Sequence, residues 1–256
     1  MAAASSQATA QPLTGRVAIV TGASRGIGRG IAIHLSALGA SLVLGYASRA
    51  AEADTLAAEL PRAVAVKADV ADEAAVRSLF DAAESAFGAG AHIVVANAGV
   101  VDEKAPSLAD TATADFDRTF AVNTRGAFLC LREAANRLHR GGGGRIVAIT
   151  SMTVATLPPG YSAYTASKAA VEAMVRTVAK ELKGTRITAN CVSPGPTATD
   201  MFFAGRSEES VEMFRALNPM RRIGEVGDIA PVVGFLCTDA AEWINGQVIG
   251  ANGGHV

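Results

Sequence analysis

The amino-acid sequence predicts an α/β protein built on a doubly wound parallel sheet of about seven strands, with helices on both faces. Two observations support this fold class. Short apolar runs alternate with segments of helical periodicity along the chain, and the runs are almost continuously apolar, as strands buried on both faces must be. The seven runs are residues 17–20, 42–44, 64–66, 93–96, 146–149, 187–192 and 248–251.

The first run leads into the glycine-rich motif Thr21-Gly-Ala-Ser-Arg-Gly-Ile-Gly28, which opens an apolar-periodic segment at residues 27–38. A strand, a glycine turn and a helix in this order can hold a dinucleotide pyrophosphate, because glycines let the backbone approach it and the helix N-terminus offers amides and a positive dipole end. The spacing differs from the usual Gly-x-Gly-x-x-Gly, and no Gly-Lys-Ser/Thr ending follows, which argues against a nucleoside-triphosphate-hydrolysing loop. The motif therefore predicts dinucleotide binding.

The second run is followed by Tyr46, Ser48 and Arg49, and no carboxylate occurs before Glu52. Sites that prefer NAD usually carry Asp or Glu in this region, where it binds the ribose hydroxyls. Its absence removes repulsion toward a 2′-phosphate, and Arg25 and Arg49 can supply charge-assisted hydrogen bonds to that group. We therefore expect NADPH/NADP+ as the cofactor. The alternative is that both arginines are ordinary surface charges.

A later strand run, residues 145–150, ends one residue before Ser151, and Tyr164 and Lys168 follow in the segment Tyr164-Thr-Ala-Ser-Lys168. A four-residue step on a helix puts two side chains on one face, so the ammonium can lie beside the phenol. A free Tyr has a pKa of about 10, and a nearby cation brings it toward the working range of an acid/base catalyst. The alternative is that Tyr164 is a half-buried aromatic, Lys168 a solvated charge and Ser151 a strand-end cap. The glycine motif favours the catalytic interpretation.

With these motifs the sequence resembles the short-chain dehydrogenase/reductase family, in its compact single-domain branch, over nearly the whole chain. The resemblance implies a Rossmann-type doubly wound sheet. Two departures from the family pattern are Ala96, where an Asn is usual, and His92, where an Asp often opens the strand; neither touches the reacting atoms. Further matching motifs are Asn97-Ala98-Gly99, Asn123 in Phe-Ala-Val-Asn-Thr, Pro194-Gly195 and Asn252-Gly253-Gly254.

The resemblance implies catalytic roles for Asn123, Ser151, Tyr164 and Lys168. Tyr164 would donate a proton to the substrate carbonyl oxygen as hydride passes from the nicotinamide, and Ser151 would hydrogen-bond the same oxygen. Lys168 would bind the nicotinamide ribose and depress the pKa of Tyr164. Asn123 would hold a water that links Lys168 to solvent. The cofactor supplies the hydride chemistry in this scheme.

The resemblance also implies a set of cofactor-binding residues. Asp69 would contact the adenine, with a helix cap as the competing interpretation. Thr199 and the backbone around Thr197 would fix the carboxamide of the nicotinamide. The complete predicted set is Gly22, Ser24, Arg25, Gly26, Ile27, Gly28, Tyr46, Ser48, Arg49, Asp69, Val70, Asn97, Ala98, Gly99, Tyr164, Lys168, Pro194, Gly195, Thr197 and Thr199.

Residues 200–220 correspond to the variable substrate loop of the family. The apolar character of this loop suggests a pocket for a hydrophobic aldehyde or ketone, the alternative being that its side chains pack against the core or a partner subunit. The resemblance further implies a dimer or tetramer of identical subunits. The apolar residues in question are Met152, Leu157, Tyr161, Met201, Phe202, Phe203, Met213 and Phe214.

The composition of the chain limits the classes of partner that we expect it to bind. A net charge of −1 and a sequence pI near 6.4 give no electrostatic footprint for nucleic acid or anionic lipid. No apolar run reaches the roughly 18 residues of a membrane span. Cys130, Cys191 and Cys237 are widely spaced in apolar stretches, which predicts core residues in a reducing compartment and no metal site. We expect a disordered tail at residues 1–12, a single catalytic domain at residues 13–256 and a cytoplasmic location.

Four functions are open from the sequence. The first is NADPH-dependent reduction of an aldehyde or ketone to an alcohol. The second is reduction of 3-oxoacyl thioesters in fatty acid synthesis, which needs a basic patch for acyl carrier protein beside the active site; Lys183 and Arg186 offer a thin candidate, and Arg221-Arg222 is expected to be structural. The third is an NAD(P)-dependent alcohol dehydrogenase in the oxidative direction. The fourth is a non-catalytic nucleotide sensor, against which the intact catalytic positions argue.

Overall fold

Seven parallel strands form one sheet in the computed structural model, which describes residues 11–256. The strands are β1 Val17–Thr21, β2 Ser41–Tyr46, β3 Ala63–Lys67, β4 Ile93–Ala96, β5 Arg145–Ile149, β6 Thr188–Pro194 and β7 Val248–Ala251. Each predicted apolar run falls on one of them, with bounds that agree to within two residues. The predicted fold class is confirmed.

The order of the strands in the sheet is β3-β2-β1-β4-β5-β6-β7. The direction of winding reverses between β1 and β4, which pair in parallel with Ala18 opposite Ile93. In open α/β sheets, ligands bind beyond the carboxyl ends of the strands at such a reversal point. The loops after β1 and β4 are therefore the expected floor of a binding crevice.

Helices cover both faces of the sheet. A π-helical turn, Ala121–Gly126, joins the fourth and fifth helices, and a short 3₁₀ helix, Asp239–Ala241, precedes β7. The helices are α1 Gly26–Ala37, α2 Ala50–Glu59, α3 Glu73–Phe87, α4 Thr113–Phe120, α5 Ala127–Arg137, α6 Thr153–Thr156, α7 Ser162–Glu181, α8 Asp200–Phe203, α9 Glu208–Leu217 and α10 Val226–Leu236.

Two hydrophobic cores lie on opposite faces of the sheet because successive side chains of a strand point to opposite sides. Val94 and Ala148 belong to the core under α3, α5 and α7. Their neighbours Val95 and Val147 belong to the core under α1 and α10. With both faces covered, strand residues of either parity must be apolar, which explains the nearly continuous apolar runs.

A buried arginine lies at the amino-terminal edge of the sheet. Arg145, the first residue of β5, has no exposed surface. Its Nε donates to the Thr238 carbonyl at 3.2 Å, its Nη1 to the Gly144 carbonyl at 2.8 Å and its Nη2 to Asp239 at 3.0 Å. Burial lowers the pKa of Arg145. The Asp239 carboxylate is thus the one acid in contact with this cation among the described residues.

Three sequence expectations bear on the rest of the chain. Residues 1–10 of the predicted tail lie outside the described residues, whereas Gln11 and Pro12 are placed, with the Gln11 carbonyl accepting from the Thr14 amide at 3.1 Å. Cys130, Cys191 and Cys237 are free and buried, as predicted. None of the helices in residues 11–256 combines the length and the apolar character that spanning a membrane requires.

Candidate active site

The motifs singled out from the sequence follow four strands that are neighbours in the sheet. The order β1-β4-β5-β6 brings together the ends that carry Gly22, Asn97, Ser151 and Gly195. Since all four strands are parallel, these ends meet at one edge. The sheet therefore gathers the predicted glycine, asparagine, serine and proline-glycine motifs into a single crevice.

The glycine turn has a backbone that only glycine suits. Gly22 and Gly26 have φ values of +64° and +54°, and a β-carbon on Gly28 would lie 2.2 Å from the Gly22 carbonyl oxygen. Side chains at these positions would strain or fill the turn. No side chain caps the start of α1, so its first amides are available to an anion. This cradle fits the pyrophosphate of a dinucleotide.

Asn97 and Thr21 join the glycine turn to the loop after β4. The Asn97 side-chain amide donates to the carbonyls of Thr21 and Gly22 at 2.9 and 3.2 Å. The Thr21 hydroxyl accepts from the backbone amides of Asn97 and Ala98 at 3.0 and 3.1 Å. The sequence analysis gave Thr21 no role; the signal for it was a hydroxyl at the end of an otherwise apolar strand.

Ser151 follows β5 and is held by its neighbour Thr153. The Ser151 Oγ accepts from the Thr153 amide at 3.2 Å and from the Thr153 hydroxyl at 3.1 Å. With its lone pairs engaged in this way, the hydroxyl proton of Ser151 is directed elsewhere. The nearby Ser151 hydroxyl counteracts part of the upward shift in the pKa of Tyr164. The two predicted catalytic hydroxyl groups are therefore adjacent.

Tyr164 and Lys168 share one face of α7, as their spacing predicted. Burial raises the pKa of Tyr164; the nearby Ser151 hydroxyl opposes this shift, and Tyr161 adds to it. The Lys168 Nζ donates to the Ile149 carbonyl at 2.9 Å and lies over the ring of Tyr164, 5.8 Å from the centroid. A lowering of the Tyr164 pKa by Lys168 stays a prediction.

The ammonium of Lys168 is itself strongly perturbed. Lys168 is 4% exposed, and burial lowers its pKa to about 8. Gly99 approaches it closely, since a β-carbon there would lie 3.2 Å from Nζ and 3.3 Å from the Asn123 Oδ1. The loop after β4, the π-helical turn and α7 thus converge on the lysine. A side chain at position 99 would crowd all three.

Asn123 lies in the π-helical turn and is 1% exposed. Its Oδ1 accepts from the Val100 amide at 2.8 Å, and its Nδ2 donates to the Val100 carbonyl at 2.9 Å and to the Ser167 Oγ at 3.0 Å. Ser167 in turn donates to the Tyr164 carbonyl at 2.6 Å. This chain locks the turn to the helix of Tyr164. The sequence analysis missed Ser167, because nothing in the segment from Tyr164 to Lys168 distinguished it from its neighbours.

The two arginines expected at a 2′-phosphate lie beyond the ends of β1 and β2 and are about half exposed. Arg25 pairs with Asp200 at 3.1 Å, and Arg49 pairs with Glu52 at 3.0 Å. The pKa of Glu52 is lowered by its own backbone amide, then by Arg49 and, more weakly, by Arg25, so both cations lie near one carboxylate. Tyr46 is half-buried and Ser48 is exposed beside them. Contact with a phosphate remains a prediction.

Asp69 and Val70 follow β3. The Asp69 carboxylate accepts from the Ala71 amide at 2.9 Å, whereas the cap of α3 is Asp72, which accepts from the Ala74 amide. The competing interpretation of Asp69 as the cap of this helix is therefore wrong. Val70 is buried against Gly126 of the π-helical turn. The predicted adenine contact of Asp69 stays a prediction.

The segment after β6 lies close to Asn252, which follows β7, and to the glycine turn. A β-carbon on Gly195 would lie 2.9 Å from the Asn252 Cα, and one on Gly26 would lie 3.3 Å from the Thr199 Cγ2. Thr197 donates to the Gly195 carbonyl at 2.9 Å, and Thr199 caps α8 by accepting from the Phe202 amide. The predicted nicotinamide segment is thus in contact with the glycine turn.

The apolar residues expected at the substrate pocket include a buried and an exposed group. Phe202 is buried with Val211 and Ile223, and Phe214 packs edge-to-face on Phe202 with 5.6 Å between the ring centroids. For these two aromatics the alternative, packing within the protein, is the one observed. Four others are exposed: Met201 by 39%, Phe203 by 46%, Met213 by 53% and Leu157 by 70%.

The basic residues considered for acyl carrier protein docking do not lie beside the crevice. Lys183 and Arg186 precede β6, which puts them at the amino-terminal edge of the sheet, and Arg186 pairs with Glu242 at 2.7 Å. Arg222 makes two hydrogen bonds to Asp228, which confirms a structural role for this arginine. Neither pair provides a docking patch next to Ser151 and Tyr164.

Comparisons with known proteins agree with this geometry. Residues 22–255 match a family model described as enoyl-(acyl carrier protein) reductase. The chain is 57% identical over 258 aligned residues, 96% of each chain, to "NADPH-dependent aldehyde reductase-like protein, chloroplastic" of Arabidopsis thaliana. It is 55% identical, over 98% of each chain, to "NADPH-dependent aldehyde reductase 2, chloroplastic" of the same plant. A short chain dehydrogenase from Burkholderia cenocepacia, solved in complex with NADP, matches with a TM-score of 0.88 and 37% identity, covering 95% of this chain and 99% of that one.

Proposed function

The chain belongs to the short-chain dehydrogenase/reductase family, and we propose that it is an NADPH-dependent oxidoreductase that reduces an aldehyde or ketone to an alcohol. The observation that carries this proposal is the meeting of Ser151, Tyr164 and Lys168 at the edge of the sheet where the glycine turn lies. Two relatives, one named as an NADPH-dependent aldehyde reductase and one as an NADPH-dependent aldehyde reductase-like protein, support the substrate class.

The crevice fits a nicotinamide dinucleotide, which supplies the hydride when bound. The glycine turn and the uncapped amides of α1 would hold the pyrophosphate, and Arg25 and Arg49 would hold a 2′-phosphate. Lys168 would bind the nicotinamide ribose. Thr197 and Thr199 would orient the nicotinamide end, because their segment contacts the glycine turn.

Tyr164 serves as the proton donor. Because burial raises its pKa, the phenol keeps its proton throughout the neutral range and can give it to a carbonyl oxygen that gains negative charge. Ser151, whose oxygen already accepts two hydrogen bonds from Thr153, donates its own proton to the same substrate oxygen. These two hydroxyl groups orient the carbonyl and stabilise the developing alkoxide.

Lys168 contributes a buried positive charge that the phenolate needs once Tyr164 has lost its proton. The hydrogen bonds from Asn123 to Ser167 and from Ser167 to the Tyr164 carbonyl fix the helix that carries both groups. The proposal also includes a water at Asn123 that returns protons from solvent. In the structure, the three side-chain hydrogen bonds of Asn123 all go to protein groups.

The alternatives are less well supported. Reduction of acyl-carrier-protein thioesters lacks a basic patch beside the crevice, since Lys183 and Arg186 are at the opposite edge of the sheet. Oxidation of alcohols uses the same residues in reverse, and preference for the phosphorylated cofactor favours reduction. A nucleotide sensor would not require the intact set of Asn123, Ser151, Tyr164 and Lys168.

The test is a spectrophotometric assay of NADPH and NADH oxidation against aliphatic and aromatic aldehydes, ketones and an acetoacetyl thioester. We expect turnover of aldehydes with NADPH, and much less with NADH. Binding of NADPH, followed by its fluorescence, provides the control that the protein is folded. Protein that binds NADPH but reduces none of these carbonyls would refute the proposed function.

We also propose that the protein assembles into a dimer or tetramer. Phe116 on α4 and Phe128 on α5 are 40% and 44% exposed, and Trp243 is 97% exposed. Large apolar side chains of this kind are stabilised by burial in an interface between subunits. Light scattering on the purified protein in solution measures the mass of the assembly directly. A monomer at micromolar concentration would contradict the proposal.

A cytoplasmic location remains a proposal from the sequence. The three buried, unpaired cysteines are compatible with any reducing compartment. Two relatives are named as chloroplastic, and the chloroplast stroma is also reducing. Imaging of the full-length protein fused at its C-terminus to a fluorescent protein separates the two locations, and fluorescence confined to plastids would contradict the proposal.

A further inference from the structure

Three loops meet closely beside Tyr161, the residue that precedes α7. Gly160 has a φ of +83°, and a β-carbon there would lie 2.6 Å from the Ala105 carbonyl oxygen. Gly205 has a φ of +69°, and a β-carbon there would lie 3.0 Å from the Glu103 carbonyl oxygen. The loop before α7 and the substrate loop therefore both pack against the loop after β4, which encloses the space around Tyr161.

Arg206, next to Gly205, reaches from the substrate loop to Tyr161. Its Nη2 donates to the Tyr161 Oη at 2.6 Å, and its Nη1 donates to the Phe202 carbonyl. The guanidinium lies 4.6 Å from the ring centroid of Phe202 and 5.5 Å from that of Phe214. Among residues 11–256 no carboxylate forms an ion pair with Arg206. Aromatic faces and a phenol are its partners.

Tyr161 is consequently a strong hydrogen-bond donor placed next to the proposed proton donor. The two rings of Tyr161 and Tyr164 meet edge-to-face with 6.5 Å between their centroids. The Tyr161 oxygen accepts a bond from a cation, which polarises its O–H group. No acceptor for the Tyr161 proton occurs among the described residues, so this proton is available to a bound molecule.

The surroundings of Tyr161 favour a neutral ligand oxygen over an anion. Tyr161 and Tyr164 line one small cavity together with Ser162, Asp102 and Asp115. The Ser162 hydroxyl is buried and has no hydrogen-bond partner, and the cavity, of about 20 Å³, has room for one water-sized polar group. The Asp102 and Asp115 carboxylates in this lining disfavour an anionic substrate group, and Asp115 also pairs with Arg118 at 3.7 Å.

We propose that Tyr161, oriented by Arg206, is a specificity-determining residue that binds a second oxygen of the substrate. The preferred substrates are then uncharged carbonyl compounds that carry another acceptor oxygen near the reacting carbonyl, such as 2-oxoaldehydes. The redox step is unchanged: hydride from NADPH and the proton from Tyr164 reduce one carbonyl, while the second oxygen only accepts a hydrogen bond. This inference rests on the proposed carbonyl reductase function.

The test uses three four-carbon substrates: butanal, 2-oxobutanal and 4-oxobutanoate. Tyr161→Phe keeps the ring and removes the hydroxyl, and comparing its effect on each substrate cancels their different intrinsic reactivities. We expect Tyr161→Phe to lower kcat/KM for 2-oxobutanal about tenfold more than for butanal, the size of one hydrogen bond to a polarised donor. We expect the wild-type protein to turn over 4-oxobutanoate less efficiently than 2-oxobutanal.

Variants of Arg206 test its positioning role. Arg206→Met should reproduce the selective loss on 2-oxobutanal, and Arg206→Lys, which keeps a cation, should restore part of it. Arg215→Met is the matched control, because Arg215 lies on α9 of the same loop and pairs only with the exposed Glu212 at 3.0 Å. Thermal unfolding midpoints separate loss of folding from loss of specificity, and the arginine variants carry the test if Tyr161→Phe is unstable.

The outcomes are distinct. Equal losses on butanal and 2-oxobutanal in Tyr161→Phe and Arg206→Met would overturn the inference and leave carbonyl reduction intact. A wild-type preference for 4-oxobutanoate would overturn the choice of a neutral substrate. A wild-type protein that binds NADPH and reduces none of the three substrates nor any other carbonyl would refute the proposed function, and with it the inference.

Discussion

The ammonium nitrogen of Lys168 lies over the ring of Tyr164, 5.8 Å from its centroid, and donates to the Ile149 carbonyl at 2.9 Å. A lysine buried in this way loses its proton more readily than an exposed lysine, because burial lowers its pKa to about 8. Its charge, needed to stabilise the phenolate that Tyr164 leaves behind, is therefore lost within an accessible range of pH.

We accordingly predict that kcat/KM for carbonyl reduction falls above pH about 8. A lysine with a lowered pKa carries its charge below that pKa and loses it as the pH rises, so the rate should fall about tenfold per pH unit beyond it. Steady-state rates between pH 6 and 10 measure the fall. In Lys168→Arg, whose charge persists, the fall should move upward; an unchanged profile in that variant would assign it to another group.

The second prediction concerns the proton donor. Tyr164→Phe keeps the ring packing and removes the proton, and we expect a loss in turnover of at least about 10²-fold, as for other general acids. Ser151→Ala should lower turnover less, because the donor remains in place. NADPH binding, measured by fluorescence, should persist in both variants. Wild-type turnover in Tyr164→Phe would rule out this assignment.

The third prediction concerns cofactor choice. Arg25→Ala combined with Arg49→Ala should raise the KM for NADPH far more than that for NADH, because only NADPH carries the 2′-phosphate. Their present partners, Asp200 and Glu52, are exposed carboxylates that a bound phosphate can replace. Arg29→Ala is the control, since Arg29 lies on α1 and pairs with Glu59 at 2.8 Å. Equal effects on both cofactors would remove the phosphate-binding role.

The sequence was sufficient for the parts of the site that depend on local geometry. The positive φ values of Gly22 and Gly26 and the closeness of Gly28 to the Gly22 carbonyl follow from the glycine pattern itself. The common face of Tyr164 and Lys168 follows from helical periodicity. The strands could also be predicted, because strands buried on both faces have a nearly continuous apolar pattern.

The sequence did not reveal contacts that depend on how distant segments pack. The Lys168 ammonium donates to the Ile149 carbonyl on another element, a contact that no helical pattern encodes. Arg206 and Tyr161 are 45 residues apart and meet only because glycines let their loops approach. Phe202 and Phe214 have the same apolar character as the exposed Phe203, so composition could not separate supporting residues from lining ones.

The last prediction concerns stability and the buried Arg145. Asp239 pairs with it at 3.0 Å and with Arg16 at 2.7 Å. We expect Asp239→Asn to lower the free energy of unfolding by about 1–2 kcal/mol at pH 7, because a buried cation loses its acidic partner while the exposure of Asp239 lets solvent screen part of the effect. Glu59→Gln is the control, since both members of the pair with Arg29 are exposed and its effect should stay below about 1 kcal/mol.

The pH dependence distinguishes a charge effect from a packing effect. The hydrogen bond and charge of Arg16 lower the pKa of Asp239 below its ordinary value of 3.8. The stabilisation is therefore fully present above that value and is lost as the pH falls through the lower pKa of the folded state. Urea unfolding of the wild-type protein and Asp239→Asn should show a gap that is constant from pH 7 to 5 and narrows at more acidic pH. A gap that persisted unchanged in acid would mean that the substitution acts through packing and that the carboxylate charge does not stabilise Arg145.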